Sequence, residues 1–236
     1  MLPLISCYPS PMKQRVIAVV LAILLPLSAC KSGPNASPAP AVSDSSKTAV
    51  RDNSKPAFPG FDYYLLNLSW SPEFCYSHPN AAECAASAGF VLHGLWPQNN
   101  DGSYPENCSI APGPENPGAY RDIYPDSGLL KHEWQTHGTC SGLSADDYFT
   151  SARHAFNSVR VPPSFLALTS QTSMPPEEIL GLFTVSNPSI PRSSLALTCG
   201  NNYLTAVEVC LDKGLHPITC PGIRSCRARV VRIPPP

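Results

Sequence analysis

The sequence predicts an α+β domain in which several helices pack on a central antiparallel β-sheet and disulfides staple the fold. Strand-like segments come first, helical segments occupy the middle and a hairpin comes late, an order typical of α+β folds. Eight cysteines lie in the last 180 residues, 57–236, which contain no internal repeat and no second linker. A stretch of this length is expected to form one domain around one core.

The predicted strands are aromatic or apolar runs bounded by turn-forming residues. The run at 89–95 is short and largely apolar, so we expect it to be a central strand. Gly200-Asn201-Asn202 separates two apolar runs and predicts a hairpin. The predicted strands cover 61–70, 89–95, 195–199, 203–211 and 228–233.

Three helices are predicted between these strands. The clearest begins at Ser144, which forms a capping-box-like start with Asp147, where Asp stands in for the usual Glu or Gln. Apolar residues then recur with a 3.6-residue period until Pro162. The other predicted elements are a helix over about 127–137 that stops at Gly138, a helix around 176–183 and a loop over 97–125.

The first 30 residues are typical of a bacterial export signal. Lys13 and Arg15 precede the apolar run 16–27, which is too short to span a bilayer as a stable helix. The run ends in Leu27-Ser28-Ala29-Cys30, which resembles a lipobox. We therefore predict that residues 1–30 are a signal peptide of the lipoprotein type and that Cys30 carries lipid. An ordinary signal peptide cut near Ala29 is the alternative.

Residues 31–56 are rich in Ser, Pro and Ala and have almost no large apolar side chain. Such a segment cannot bury enough surface to offset its ordering entropy, so we predict a disordered tether. The folded domain is then expected over 57–236. The protein is expected outside the cytoplasm, in the periplasm or medium, either released or held at the membrane through Cys30.

Eight cysteines remain once Cys7 and Cys30 are set aside. An even number in an exported chain predicts four disulfides. A zinc site would need close Cys-x-x-Cys spacing, which the sequence lacks. The eight are Cys75, Cys84, Cys108, Cys140, Cys199, Cys210, Cys220 and Cys226.

The charge balance argues against a protein that attracts polyanions over its whole surface. The net charge is −1, and removing 1–30 takes away two cations and leaves −3. Four arginines form a local basic cluster near the C-terminus, which we interpret as a solvated face. A polyanion would therefore be recognised within a cleft. The four are Arg224, Arg227, Arg229 and Arg232.

The segments 93–97 and 132–140 contain the histidines that have chemically useful neighbours. Glu133 and His137 are four residues apart, so on a helix they share a face where a carboxylate can orient an imidazole. His132 and His137 are five apart, about 140° around a helix. Zinc peptidases place two histidines four residues apart, so this spacing does not favour a metal pair.

Nucleophilic catalysis by the protein is also disfavoured, because the cysteines are expected to be paired and no Gly-x-Ser-x-Gly motif is present. Two imidazoles and a carboxylate fit RNA cleavage by transphosphorylation. In that reaction the substrate's 2′-hydroxyl is the nucleophile, and imidazoles can both accept and donate protons near neutral pH.

The two histidine segments resemble the signature segments of the ribonuclease T2 family. They read FVLHGLWP at 90–97 and KHEWQTHGTC at 131–140, in the family's order. The segment DGSYP at 101–105 and the C-terminal cysteines extend the resemblance over roughly 61–230. The resemblance implies a monomeric endoribonuclease that cleaves single-stranded RNA, but not DNA. It would form 2′,3′-cyclic phosphate and then 3′-phosphate ends without a metal or cofactor.

The resemblance also implies roles for individual residues. His93 would protonate the leaving 5′-oxygen, and His137 would deprotonate the 2′-hydroxyl. Glu133 would support the pentacoordinate phosphorane, and His132 would contact phosphate. The implied base-binding residues are Trp96, Tyr104 and Gln98. Core packing is the alternative for Trp96, and base preference stays open because some fungal members have an aspartate at the position of Gln98.

The family's disulfide pattern would join Cys75–Cys84 and Cys108–Cys140, and would nest Cys210–Cys220 inside Cys199–Cys226. The second of these bonds would tie the base-binding loop to the end of the catalytic helix.

Thr136 departs from the family pattern, because many members have a lysine there. Losing a donor of that kind could cost on the order of 2.7–4 kcal/mol of transition-state stabilisation. Lys131 lies five positions earlier and cannot be assumed to replace it. The alternative function is therefore an RNA-binding homologue with weak or lost catalysis.

Overall fold

A computed structural model describes residues 60–86 and 89–236. The predicted signal peptide, the tether, the lipidation site Cys30 and residues 57–59 lie outside this part of the chain. Within it, no helix combines the length and the apolar character needed to cross a membrane.

One six-stranded sheet forms the centre of the domain, with the order β2-β1-β5-β6-β3 and with β4 paired to β5. The strands are β1 (Tyr63–Trp70), β2 (Phe90–Gln98), β3 (Thr172–Met174), β4 (Leu195–Gly200), β5 (Tyr203–Leu211) and β6 (Val231–Ile233). The helices are α1 (Ser71–Ser77), α2 (Ser127–Thr136), α3 (Ala145–Asn157), α4 (Pro163–Leu166) and α5 (Pro176–Ser186). Short 3₁₀ turns cover Ala82–Ala86, Pro117–Tyr120, Gly138–Cys140 and Arg192–Ser194. The predicted α+β class is confirmed.

The sheet is antiparallel except at one position, where Tyr203 of β5 pairs in parallel with Arg232 of β6. The predicted hairpin is confirmed as β4 and β5, and Asn201 and Asn202 both adopt positive φ between them. The sequence patterns did not indicate α1, α4 or β3. Helix α1 starts at Ser71-Pro72, which bounds the first predicted strand as a turn-forming pair. Proline is also favourable in the first turn of a helix, so the same residues can begin one.

The predicted helix starts are more accurate than the predicted ends. Ser144 accepts a hydrogen bond from the backbone N–H of Asp147 at 3.1 Å, and its hydroxyl donates to the Asp147 carboxylate. α3 nevertheless ends at Asn157, five residues before Pro162. α2 ends at Thr136, and a 3₁₀ turn begins at Gly138.

The predicted central position of the 89–95 strand was wrong. Among the described residues, β2 lies at the edge of the sheet and pairs only with β1, and it extends through Pro97 to Gln98. Proline has no N–H to donate to a second neighbour, which suits an edge strand.

A β-bulge at His93 explains why the apolar pattern of β2 is misleading. The consecutive β1 residues Asn67 and Leu68 pair with Gly94 and Leu92, which leaves His93 without an opposing residue. An extra residue of this kind reverses the alternation of side chains beyond it.

The bulge allows Leu92 and Leu95 to enter the same core although they are three residues apart. Beyond it, Trp96 packs with Leu65 in a smaller cluster on the opposite face of the sheet. The strand therefore stays anchored in the core on both sides of His93, whose side chain is left 40% exposed.

Helix α3 holds β2 and α2 in a fixed arrangement. The buried Tyr148 donates its hydroxyl hydrogen to the backbone carbonyl of Leu95 at 2.9 Å. Gly138 lies against the rings of Trp134 and Tyr148, where a Cβ atom would overlap both. Both histidine segments thus pack against the same tyrosine.

Four disulfides join the pairs that the family resemblance implies. They are Cys75–Cys84, Cys108–Cys140, Cys199–Cys226 and Cys210–Cys220. Cys140 follows the end of α2, so its bond fixes the long loop after β2 to that helix. Disulfides of this number fit a protein that folds in an oxidising compartment outside the cytoplasm.

Candidate active site

The candidate active site lies where β2 meets the last two turns of α2. Asp126 caps the start of α2 by accepting a hydrogen bond from the N–H of Gly128 at 2.7 Å. His137 caps its end with φ −112° and ψ −50°. The helix and its cap present His132, Glu133 and His137 beside the bulged part of β2.

Glu133 is fully buried. Its Oε2 accepts a hydrogen bond from the indole N–H of Trp96 at 2.8 Å. Its Oε1 has no hydrogen-bond partner among the described residues. Burial raises the pKa of the carboxyl to about 8, and the Trp96 hydrogen bond opposes part of that rise.

His93 faces the free oxygen of this carboxyl group. Its Nε2 atom lies 3.7 Å from Glu133 Oε1, beyond hydrogen-bond distance. Burial lowers the pKa of His93, and the nearby His132 lowers it further. The imidazole is therefore biased toward its neutral form, although part of it reaches solvent.

His137 is half-buried beside Trp96. Burial is the main reason that its pKa is lowered to about 4, and the charges of His132 and His93 add to the effect. Its Nδ1 atom is buried without a hydrogen-bond partner among the described residues. This imidazole is neutral over most of the acid range and can accept a proton there.

Trp96 contacts both imidazoles. Its ring centroid is 5.4 Å from that of His93 and 5.2 Å from that of His137. Its N–H donates to Glu133, so one indole touches all three groups. Trp96 both packs against the cluster of Tyr63 and Leu65 and lines an open cleft.

The structure corrects the argument that His132 and His137 point apart. His132, Glu133 and His137 each offer a ligand-type atom, and these atoms lie within 4.8 Å of one another. The helical-wheel angle does not apply, because the φ of His137 departs from the α-helical value of about −63°. Trp96 donates to one oxygen of the buried carboxyl group, and the other oxygen has no partner among the described residues.

A cleft of about 420 Å³ opens beside Trp96. Tyr104 is 54% exposed at this cleft, whereas Gln98 is largely buried at the end of β2. The three residues predicted to bind a base are thus brought to one cleft. Its lining is Leu65, Trp96, Gln98, Tyr104, Glu106, His132, Thr136 and His137.

A second cleft, of about 280 Å³, lies on the other side of His93. It shares His93 and His132 with the site and is otherwise formed by residues that carry no recognisable motif. Sequence reasoning missed it, because its residues come from β1, α1 and both sides of the α2 N-terminus. They are Ser69, Phe74, Ala81, Glu83, Asp126, Gly128 and Leu129.

Thr136 and Lys131 lie on different sides of α2. Thr136 lines the cleft beside Trp96, and its hydroxyl is 3.4 Å from His132 Nδ1. Lys131 instead lines a groove with Ile110 and Trp134. Lys131 therefore does not replace the cation that a lysine at position 136 would place in this cleft.

A buried carboxyl group beside two imidazoles and an adjoining aromatic cleft form a site suited to acid–base catalysis. The model of the Ribonuclease T2 family matches residues 61–220. The chain belongs to this family and is an endoribonuclease.

Individual relatives agree with this assignment. A ribonuclease of Aeromonas hydrophila is 36% identical over 170 residues, which cover 68% of this chain and 76% of the relative. Ribonuclease DdI of Dictyostelium discoideum is 29% identical, with 92% of this chain and 97% of the relative covered. A solved RNase-related protein from Calystegia sepium matches the fold with a TM-score of 0.63 at 24% identity, covering 75% of this chain and 98% of its own.

Gly94 permits the contact between β2 and α2, and its replacement tests the site. A Cβ atom there would overlap Glu133 Oε2 and Trp96 Nε1. We expect Gly94→Ala to lower kcat/KM for RNA on the order of 100-fold, because displacements near 1 Å can have that effect. The control is Gly181→Ala in α5, where a Cβ meets nothing within 4 Å. Equal activity of the two variants would contradict the proposed importance of this contact.

Proposed function

We propose that the protein cleaves single-stranded RNA by metal-independent transphosphorylation. His137 takes the proton from the 2′-hydroxyl, whose oxygen forms a bond to phosphorus. The bond from phosphorus to the 5′-oxygen breaks, and His93 gives that oxygen a proton. A 2′,3′-cyclic phosphate results, and water then opens it to a 3′-phosphate with the two imidazoles in exchanged roles.

The observation that carries this proposal is the arrangement of two accessible imidazoles around one buried carboxyl group. His93 and His137 both pack beside Trp96, and His93 also faces the buried carboxyl group of Glu133. Burial lowers the pKa of both imidazoles. Acid–base transfer at two ends of one phosphate needs two such groups, and it needs no nucleophile from the protein.

The two clefts suggest how RNA would lie. The nucleoside that holds the attacking 2′-hydroxyl would bind beside Trp96 and Tyr104, where aromatic rings can stack on a base. Gln98 lies at the end of the same cleft. His132 lines both clefts and would contact a phosphate bound between them. A solved variant of RNase MC1, 21% identical to this chain, is in complex with 5′-UMP.

We also propose that the protein is exported, that lipidation at Cys30 tethers it to the membrane and that the folded domain is a monomer. The four disulfides of the described domain support export. The lipobox-like residues before Cys30 support the tether.

The purified protein should cut RNA in the presence of EDTA and leave DNA intact, because DNA lacks the 2′-hydroxyl. The 2′,3′-cyclic phosphate should appear before the 3′-phosphate when products are separated by chromatography. His93→Ala, prepared in parallel, controls for contaminating nuclease. RNA that stays intact in EDTA but is cut after zinc is restored would favour a metal-dependent reaction.

The reaction should be fastest at acidic pH. His137 must be neutral, so kcat/KM should fall as the pH drops below about 4. His93 must be protonated, so the rate should also fall as the pH rises through its pKa, which lies below the ordinary value of about 6.5. A pH–rate profile on a dinucleotide measures both limbs. An optimum above neutrality would contradict these assignments.

Thr136→Lys should raise kcat if a missing cation limits the reaction, by on the order of 100-fold at most. Lys131→Met is the matched control, because that side chain lies on the other side of α2 and should leave kcat unchanged. Single-turnover cleavage of one RNA by the three proteins gives the comparison. If neither wild type nor Thr136→Lys cleaves bound RNA, the result favours an RNA-binding homologue over an active ribonuclease.

A further inference from the structure

The two oxygens of the Glu133 carboxyl group have different surroundings. Oε2 accepts the Trp96 N–H at 2.8 Å and lies over the backbone of Gly94. Oε1 has no hydrogen-bond partner among the described residues and is the oxygen nearer to His93 Nε2, at 3.7 Å. An asymmetric environment of this kind can determine which oxygen carries a proton.

We propose that Trp96 is a positioning residue that holds Glu133 as a neutral hydrogen-bond donor: its N–H keeps Oε2 as an acceptor, so the carboxyl proton resides on Oε1 and donates to a non-bridging phosphoryl oxygen. The inference rests on the function proposed above. It gives Trp96 a role beyond stacking on a base.

The chemistry of the indole group supports this assignment. An indole N–H can donate but cannot accept, so it pairs only with an oxygen that presents a lone pair. A proton on Oε2 would compete with that hydrogen bond. The proton is therefore favoured on Oε1, the oxygen that has no hydrogen-bond partner among the described residues.

Burial supports the neutral form. Glu133 is fully buried, and no Lys or Arg forms an ion pair with it among the described residues. An ionised carboxyl group would be costly in this position. A buried neutral acid can donate a hydrogen bond to an oxyanion, as an aspartic acid does in ketosteroid isomerase.

The titratable groups around the carboxyl agree with this picture. His93 faces it from β2, and His132 and His137 are on or next to its own helix. Tyr124 and Tyr148 are buried phenols near enough to interact with its charge. None of these groups is a permanent cation. The mechanism stays balanced, because Glu133 keeps its proton while His137 accepts one and His93 releases one.

Substitution with glutamine tests the charge state directly. In Glu133→Gln the amide oxygen can accept the Trp96 N–H while the amide nitrogen donates to phosphate. We expect Glu133→Gln to stay within about 10-fold of wild-type kcat, comparable to one altered hydrogen bond. Glu133→Leu, which has a similar size and no donor, should lose on the order of 100-fold. If Glu133→Gln is as slow as Glu133→Leu, a carboxylate charge is required and the inference is wrong.

Trp96→Phe tests the positioning role, because it keeps an aromatic ring but removes the N–H. We expect kcat to fall by about 10-fold with little change in KM for a dinucleotide. In the Trp96→Phe background, Glu133→Gln should no longer have a higher kcat than Glu133→Leu. Without the indole N–H, the amide can rotate so that its oxygen and nitrogen exchange positions. A raised KM with unchanged kcat would mean that Trp96 only stacks on the base.

The products of the wild-type protein separate a failure of this inference from a failure of the proposed function. If wild type forms no 2′,3′-cyclic phosphate, the proposed function fails. If it does and Glu133→Gln matches Glu133→Leu, only the inference fails. Infrared difference spectra of wild type minus Glu133→Gln at mildly acidic pH need only the folded proteins. A protonated carboxyl band supports the inference, and an ionised carboxylate band overturns it.

Discussion

The hydrogen bond from Trp96 to Glu133 is formed across the contact between the edge strand β2 and helix α2, and the site depends on this contact. It requires that no side chain stand between them, which Gly94 satisfies. It also requires that the helix be held at a fixed distance from the strand. Tyr148 provides this, because it bonds to the backbone of β2 and packs beside Gly138 at the end of the helix.

Burial at this contact tunes the chemistry of all three central groups. A carboxyl group removed from water is favoured as the neutral acid, and imidazoles removed from water are favoured as neutral bases. Burial is the main reason that the pKa of Glu133 is raised and that the pKa values of His93 and His137 are lowered. In the proposed mechanism these shifts favour catalysis in the acid range. Among the described residues no lysine or arginine forms an ion pair with the carboxyl group.

Much of the fold could be predicted from local signals. The start of α3 at Ser144 and the β4–β5 hairpin depend on capping and turn preferences of a few adjacent residues, and both are confirmed. The position of β2 could not be predicted in this way. Its apolar run resembled a central strand because a bulge at His93 lets Leu92 and Leu95 share one core, and bulges depend on pairing with another strand.

The sequence by itself determined the candidate reacting groups, which are two histidine segments and a carboxyl group four residues before His137. It also supplied the cysteines whose family pattern implied their pairing. The sequence also showed that the protein has no net positive charge that would attract RNA over its whole surface. Tertiary structure decided how these groups meet. The helical-wheel angle separated His132 from His137, yet the non-helical φ of His137 brings them together. The bond from Trp96 joins residues 37 positions apart, and only the packing of strand against helix could specify it.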